Sequence, residues 1–143
     1  AHRLAEAGDE PLAAEEGMFT VLSSMFARYG SVIVPPTPAD DPSRLTRARD
    51  YLIEHYAEDV GLETLSKVAD LSRAHLIRAF RRRFFITPHA FQTDVRIRQA
   101  RRMLQSGASP SDTAFRCGFA DQAHLTRHFK ARTGVTPAAF RAG

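Results

Sequence analysis

Offset by 49, residues 74–91 (AHLIRAFRRRFFITPHAF) and 123–140 (AHLTRHFKARTGVTPAAF) agree at ten of eighteen positions. A match of that density makes the two stretches copies of one structural unit, and a repeat limits the fold before composition does. The unit is small enough to occur twice within 143 residues.

Both copies read as helices with marked starts and stops. Upstream of the first, Asp41-Pro42 can open a helix whose apolar stripe is Leu45, Ala48, Leu52 and Tyr56, with Gly61 as its breaker. A short helix, LETLSKVA (62–69), then turns at Asp70-Leu71, and Ser72 can cap the helix 73–84. Thr87-Pro88 opens a long helix, 88–106, with Phe91, Val95, Ile97, Ala100 and Leu104 facing inward and Gly107 ending it. The second copy repeats this grammar. Ser109-Pro110 starts a short helix 110–117, and Gly118-Phe119-Ala120 turns. Asp121 then caps 122–133, Gly134 closes it, and Thr136-Pro137 opens a last helix. No stretch alternates like a half-buried strand, so the expected fold class is all-α.

Each copy is thus the second member of a helix pair joined by a turn of three to four residues. This is the helix-turn-helix plan, in which the second helix enters the DNA major groove. A helix pair alone is common to many all-α proteins, so the outward faces must decide. In the first copy Leu76, Ala79, Phe80 and Arg83 share one side. Ala74, Ile77, Arg78 and Arg81 share the other, flanked by Arg73, His75 and Arg82. In the second, Leu125 and Phe129 point inward, while Ala123, Thr126, Arg127 and Lys130 point outward beside Gln122 and His124. Small side chains near the helix start allow close approach to base edges, and arginine can grip guanine with two hydrogen bonds.

Charge agrees with that reading. Residues 1–43 hold two arginines against seven acids, a balance of −5, whereas residues 44–143 hold 18 basic against nine acidic residues, a balance of +9. A basic block of this size favours a polyanion such as nucleic acid. The single cysteine, Cys117, excludes an internal disulfide and suits a reducing compartment, so a cytoplasmic location is expected. No apolar run is long enough to span a membrane.

The acidic N-terminal part is organised differently. Residues 11–29 place Phe19, Leu22, Phe26 and Tyr29 on one helical stripe, which needs a partner surface. The prolines 35, 36, 38 and 42 then stop any helix. The expected organisation is a helical tail over 1–30, a Pro-rich linker over 31–43 and a DNA-binding domain over 44–142. The chain begins with Ala rather than Met, as a processed product or a piece of a longer protein would.

The stretch GFADQAHLTRHFKARTGVTPAAFR (118–141) resembles the signature of AraC/XylS-type bacterial transcription regulators. Residues 71–107, LSRAHLIRAFRRRFFITPHAFQTDVRIRQARRMLQSG, are similar to that family's first helix-turn-helix and linking helix. The resemblance implies a seven-helix domain with two helix-turn-helix units, 62–84 and 110–133, joined by one long helix and reading successive major grooves. It implies base readers at Arg73, Ala74, Ile77, Arg78, Gln122, Ala123, Thr126 and Arg127. Phosphates would be held by Ser72, His75, Arg81, Arg82, Thr87, His124, Lys130 and Thr136. It further implies double-stranded DNA and RNA polymerase as partners, with a sensor domain before the DNA-binding domain. The effector pocket would then lie outside this chain, and residues 11–29 would form a homodimer or domain interface. Departures from the family pattern are Ile77, where a polar reader is common, Phe85 in place of a helix-closing glycine, and Asp70 in the first turn.

No enzyme, cofactor or metal site is expected. His124 and His128 have a spacing that can bind metal, but no glutamate follows the first histidine as in zinc hydrolases. Cys117, set among Phe115 and Phe119, reads as a small core residue, with a reactive cysteine of a DNA-repair regulator as the alternative. A helical protein-interaction module that binds no DNA is the other alternative.

Overall fold

The computed structural model describes residues 41–143. Among them there are seven helices and no strand: α1 Pro42–Glu54, α2 Leu62–Ala69, α3 Arg73–Phe84, α4 Pro88–Gln105, α5 Pro110–Arg116, α6 Gln122–Thr133 and α7 Pro137–Ala142. The all-α expectation holds. The N-terminal helical tail and most of the linker fall outside the described residues.

The described chain divides into two compact units. The first comprises α1 and residues 60–91, and the second comprises residues 55–59 and 92–143, so α4 begins in one and continues in the other. In the first unit Leu45, Ala48 and Leu52 of α1 meet Leu62, Leu65 and Ala69 of α2 and Leu76, Ile77, Ala79 and Phe80 of α3. Phe80 packs its ring against Phe84 and Phe91 at 4.7 and 5.9 Å, and Phe84 carries the guanidinium of Arg49 above its face. Arg44 donates to the carbonyl of Asp70 at 2.7 Å, which ties α1 to the turn between α2 and α3.

The second unit has its own buried cluster, built from Ile97, Ala100 and Leu104 of α4 with Ala114, Cys117, Phe119, Leu125 and Phe129. Thr136 caps α7, which brings Phe140 edge-on to Phe129 at 5.4 Å. Arg141 then donates twice to the carbonyl of Gly107, closing the end of α4.

The end of α1 departs from the expected stripe. The helix stops at Glu54, well short of Gly61, and Tyr56 lies in the turn that follows. In this turn the carbonyl of His55 accepts the amide of Glu58, while those of Tyr56 and Glu58 accept from side chains instead of from a further helical turn. Gln92 donates to the oxygens of Tyr56 and Glu58 at 3.2 and 2.8 Å, and Arg96 reaches the same two at 2.6 and 3.0 Å. Carbonyls freed from a helix need other partners, and α4 supplies them from 34 to 40 residues away in sequence.

Candidate nucleic-acid interface

Each unit holds one candidate recognition helix, α3 or α6, started by a side-chain cap. Ser72 Oγ accepts from the amide of His75 and Asp121 Oδ1 from the amide of His124, at 3.2 and 2.7 Å. Both caps have extended backbone and fix where the first helical turn begins. The preceding turns use left-handed residues, Asp70 (φ +55) and Gly118 (φ +86). At Gly118 the need is absolute, since a Cβ there would lie 2.3 Å from the carbonyl oxygen of Ala57.

On α3 the exposed residues are Arg73, Arg78, Arg81, Arg82 and Arg83, the last against its expected place on the inward side, and Ala74 and His75 are half-buried. Arg73 is held by Glu63 of α2 at 3.3 Å, so the first cation of this face is oriented by the helix before it. On α6 Gln122, Ala123, Arg127 and Lys130 are exposed, as are Ala131 and Arg132 near its end, and Thr126 and His124 are half-buried. The expected outward faces are therefore present on both helices, with one correction.

Ile77 is not on the outward face. It is 2% exposed and belongs to the core of the first unit with Leu76 and Phe80. Helical spacing sets it on the side away from Leu76, but α3 is packed by both α1 and α2, and this two-sided contact buries a wider arc than one apolar stripe. Its partner in the repeat, Thr126, stays half-exposed.

Thr87 Oγ1 and Thr136 Oγ1 accept from Ala90 and Ala139 amides and cap α4 and α7. A hydroxyl used this way still carries a proton to donate. On the second unit, Arg132 pairs with Asp94 of α4 at 2.6 Å and also lies 3.3 Å from His128, which is thereby engaged on its own helix. Among the described residues no group of histidine, cysteine and carboxylate side chains could hold a metal ion.

Cys117 is fully buried, and its Sγ lies 3.7 Å from the sulfur of Met103. Burial pushes the thiol up from 9.0 to about 11, against weaker opposing effects of Arg116 and Arg96. The sequence placed Phe115 beside it. Phe115 instead faces outward, 82% exposed, and Phe119 lines the core there. Arg96, which no local sequence signal marks, lies over the ring of Phe119 while holding residues 56 and 58.

Residues 65–143 match the family described as a helix-turn-helix domain. This chain belongs to the AraC-type helix-turn-helix family of transcription regulators. It is 34% identical to YbfI, an HTH-type transcriptional regulator of Bacillus subtilis, over 85% of this chain and 44% of that protein. It is likewise 34% identical to the HTH-type transcriptional activator RhaS of an Enterobacter species, over 57% of this chain and 30% of RhaS. The chain thus spans less than half the length of these relatives.

Among solved structures it resembles the DNA-binding domain of AdpA, a global transcriptional factor, in complex with a target DNA. The TM-score is 0.65 at 34% identity, covering 69% of this chain and 90% of that one. The C-terminal domain of AraT, a response regulator from Geobacillus stearothermophilus, matches with TM-score 0.65 at 27% identity, over 69% and 84% of the two chains. No described helix is long and apolar enough to cross a membrane.

Proposed function

We propose that this chain binds double-stranded DNA at a promoter site through α3 and α6, and regulates transcription by that occupancy. The observation that carries the reading is the recurrence of one outward pattern on two capped helices. A small residue in the first turn, Ala74 or Ala123, is followed one helical turn on by an exposed arginine, Arg78 or Arg127. Arg73, Ala74 and Arg78 read bases from the first unit, and Gln122, Ala123, Thr126 and Arg127 from the second. Ser72, His75, Arg81, Arg82, Thr87, Lys130 and Thr136 hold phosphates, and His124 borders them. Since Ile77 is buried and Thr126 is not, the two units read differently and the target site is asymmetric.

The solved complex of the AdpA domain with DNA and the naming of RhaS as an activator support this reading. Activation by contact with RNA polymerase, dimerisation through residues 11–29, an effector pocket outside this chain and action in the cytoplasm complete the proposal.

The test is a double charge reversal, Arg78→Glu with Arg127→Glu, which touches only exposed side chains. Affinity for duplex DNA is expected to collapse while the circular dichroism spectrum and melting temperature stay unchanged. In the unmutated chain, six to eight phosphate contacts give a log–log salt slope of about −6. Binding that survives the reversal, or ignores salt, favours the protein-interaction module.

A further inference from the structure

The two helix-turn-helix units differ by one residue. After the left-handed residue of each turn, the next amide bonds back to the fifth residue before it, Leu71 to Ser66 and Phe119 to Ala114, both at 3.0 Å. These bonds correspond at an offset of 48 (119 − 71), whereas the caps Ser72 and Asp121 and the recognition helices correspond at 49 (121 − 72). The residue added between them is Ala120. An extra residue in a tight turn brings an extra amide, and that amide donates to Nδ1 of His124 at 3.1 Å. His75 holds the matching place in the first repeat, where the turn has no such residue to serve.

We propose that His124 is a positioning residue of the second unit: its Nδ1 accepts the amide of the inserted Ala120 and so fixes how α6 leaves its turn. The proposal rests on α6 being a DNA-reading helix. The bond exists only while Nδ1 is unprotonated, which puts the proton of the neutral ring on Nε2. Protonating both nitrogens would set one N–H against another and release the turn.

The surroundings keep the ring neutral. Phe119 stands edge-on at 5.2 Å and the ring of His128 lies 4.8 Å away. Burial lowers the His124 pKa below its ordinary 6.5, Arg127 of α6 and Arg96 of α4 add to this, and Asp121 opposes them. A depressed histidine pKa leaves the turn at full stability above 6.5. That stability is lost as pH falls, because the unfolded chain takes up the proton first.

Three substitutions in the full chain separate positioning from phosphate contact. His124→Asn places an acceptor oxygen where Nδ1 lies, His124→Gln places its amide where Nε2 lies, and His124→Leu provides neither. The probe is a duplex selected from a random pool by the unmutated chain. His124→Asn is expected to bind within about two-fold of the unmutated chain, and the other two to lose about five-fold or more. Retention by His124→Gln with loss in His124→Asn overturns the proposal in favour of a phosphate contact through Nε2, and so does an equal response of all three. Lowering the pH from about 7.5 to about 5.5 should weaken the unmutated chain relative to His124→Asn, whereas a relative gain in affinity refutes the role. Nitrogen-15 NMR of the His124 ring without DNA should find Nδ1 unprotonated at neutral pH, and a protonated Nδ1 refutes it outright. If that spectrum is as expected but the unmutated chain binds no duplex, the DNA reading fails and the turn assignment stands.

Discussion

Phe85 and Gly134 close the two recognition helices with the same left-handed backbone, at φ +62 and +84. Each amide bonds to a carbonyl four residues back, of Arg81 and Lys130 respectively. Glycine adopts this conformation freely, while a residue with a Cβ is strained there by roughly 1–2 kcal/mol. Phe85 is also 91% exposed, so burial returns little of that cost. Phe85→Gly is therefore expected to stabilise the first unit by about 1 kcal/mol. For a domain of this size that raises the melting temperature by roughly 4–8 °C in a calorimetric scan.

Ile77 and Thr126 occupy matching places in the repeat but different environments. Ile77→Ala should cost about 2–5 kcal/mol in urea unfolding, because it opens a cavity in the core of the first unit. Thr126→Ala should stay within about 0.5 kcal/mol, since the side chain is half-exposed. Its effect is expected in DNA affinity instead, and a stability loss at Thr126 equal to that at Ile77 would contradict the assignment.

Two glycines with positive φ separate strain from collision. At Gly107 (φ +98) a Cβ meets nothing within 4 Å, so Gly107→Ala carries backbone strain alone. The expected cost is about 1 kcal/mol. At Gly118 the same atom would strike the backbone of Ala57, with its carbonyl oxygen at 2.3 Å. Gly118→Ala should cost at least about 3 kcal/mol, strain and overpacking together, and lower the melting temperature far more than its counterpart.

Cys117 should be inert in the folded chain. Raising its pKa from 9.0 to about 11 lowers the thiolate fraction near neutral pH about a hundred-fold. Alkylation at pH 7 is expected only on unfolding, which a labelling time course with and without denaturant would measure. The sign of the linkage follows. Stability is unaffected below 9.0 and falls as pH rises past it, because the unfolded chain gives up its thiol proton first.

The all-α class and the outward arginines were legible in the sequence because they rest on local signals. Ser72, Ser109, Asp121 and Thr136 cap helices within three residues of themselves, and the repeat displays the same face twice. What was not legible depends on distant partners. The burial of Ile77 requires two helices to pack on α3, and periodicity along one helix does not carry that information. The early end of α1 depends on Gln92 and Arg96, which sit 34 to 40 residues away from the carbonyls they satisfy. Phe115 looked like core because aromatic residues flank Cys117 on both sides, yet the helix turns one of them outward. The inserted Ala120 was visible as letters only once the turn hydrogen bonds fixed the register.

The buried clusters of the two units have no residue in common. For a protein that grips its target with both units, overall affinity is an avidity: each grip raises the effective concentration of the other. A lesion deep in one cluster then removes one grip and this mutual gain, while the remaining unit keeps its own modest hold. Damage of this kind would dim a promoter response by degrees instead of switching it off.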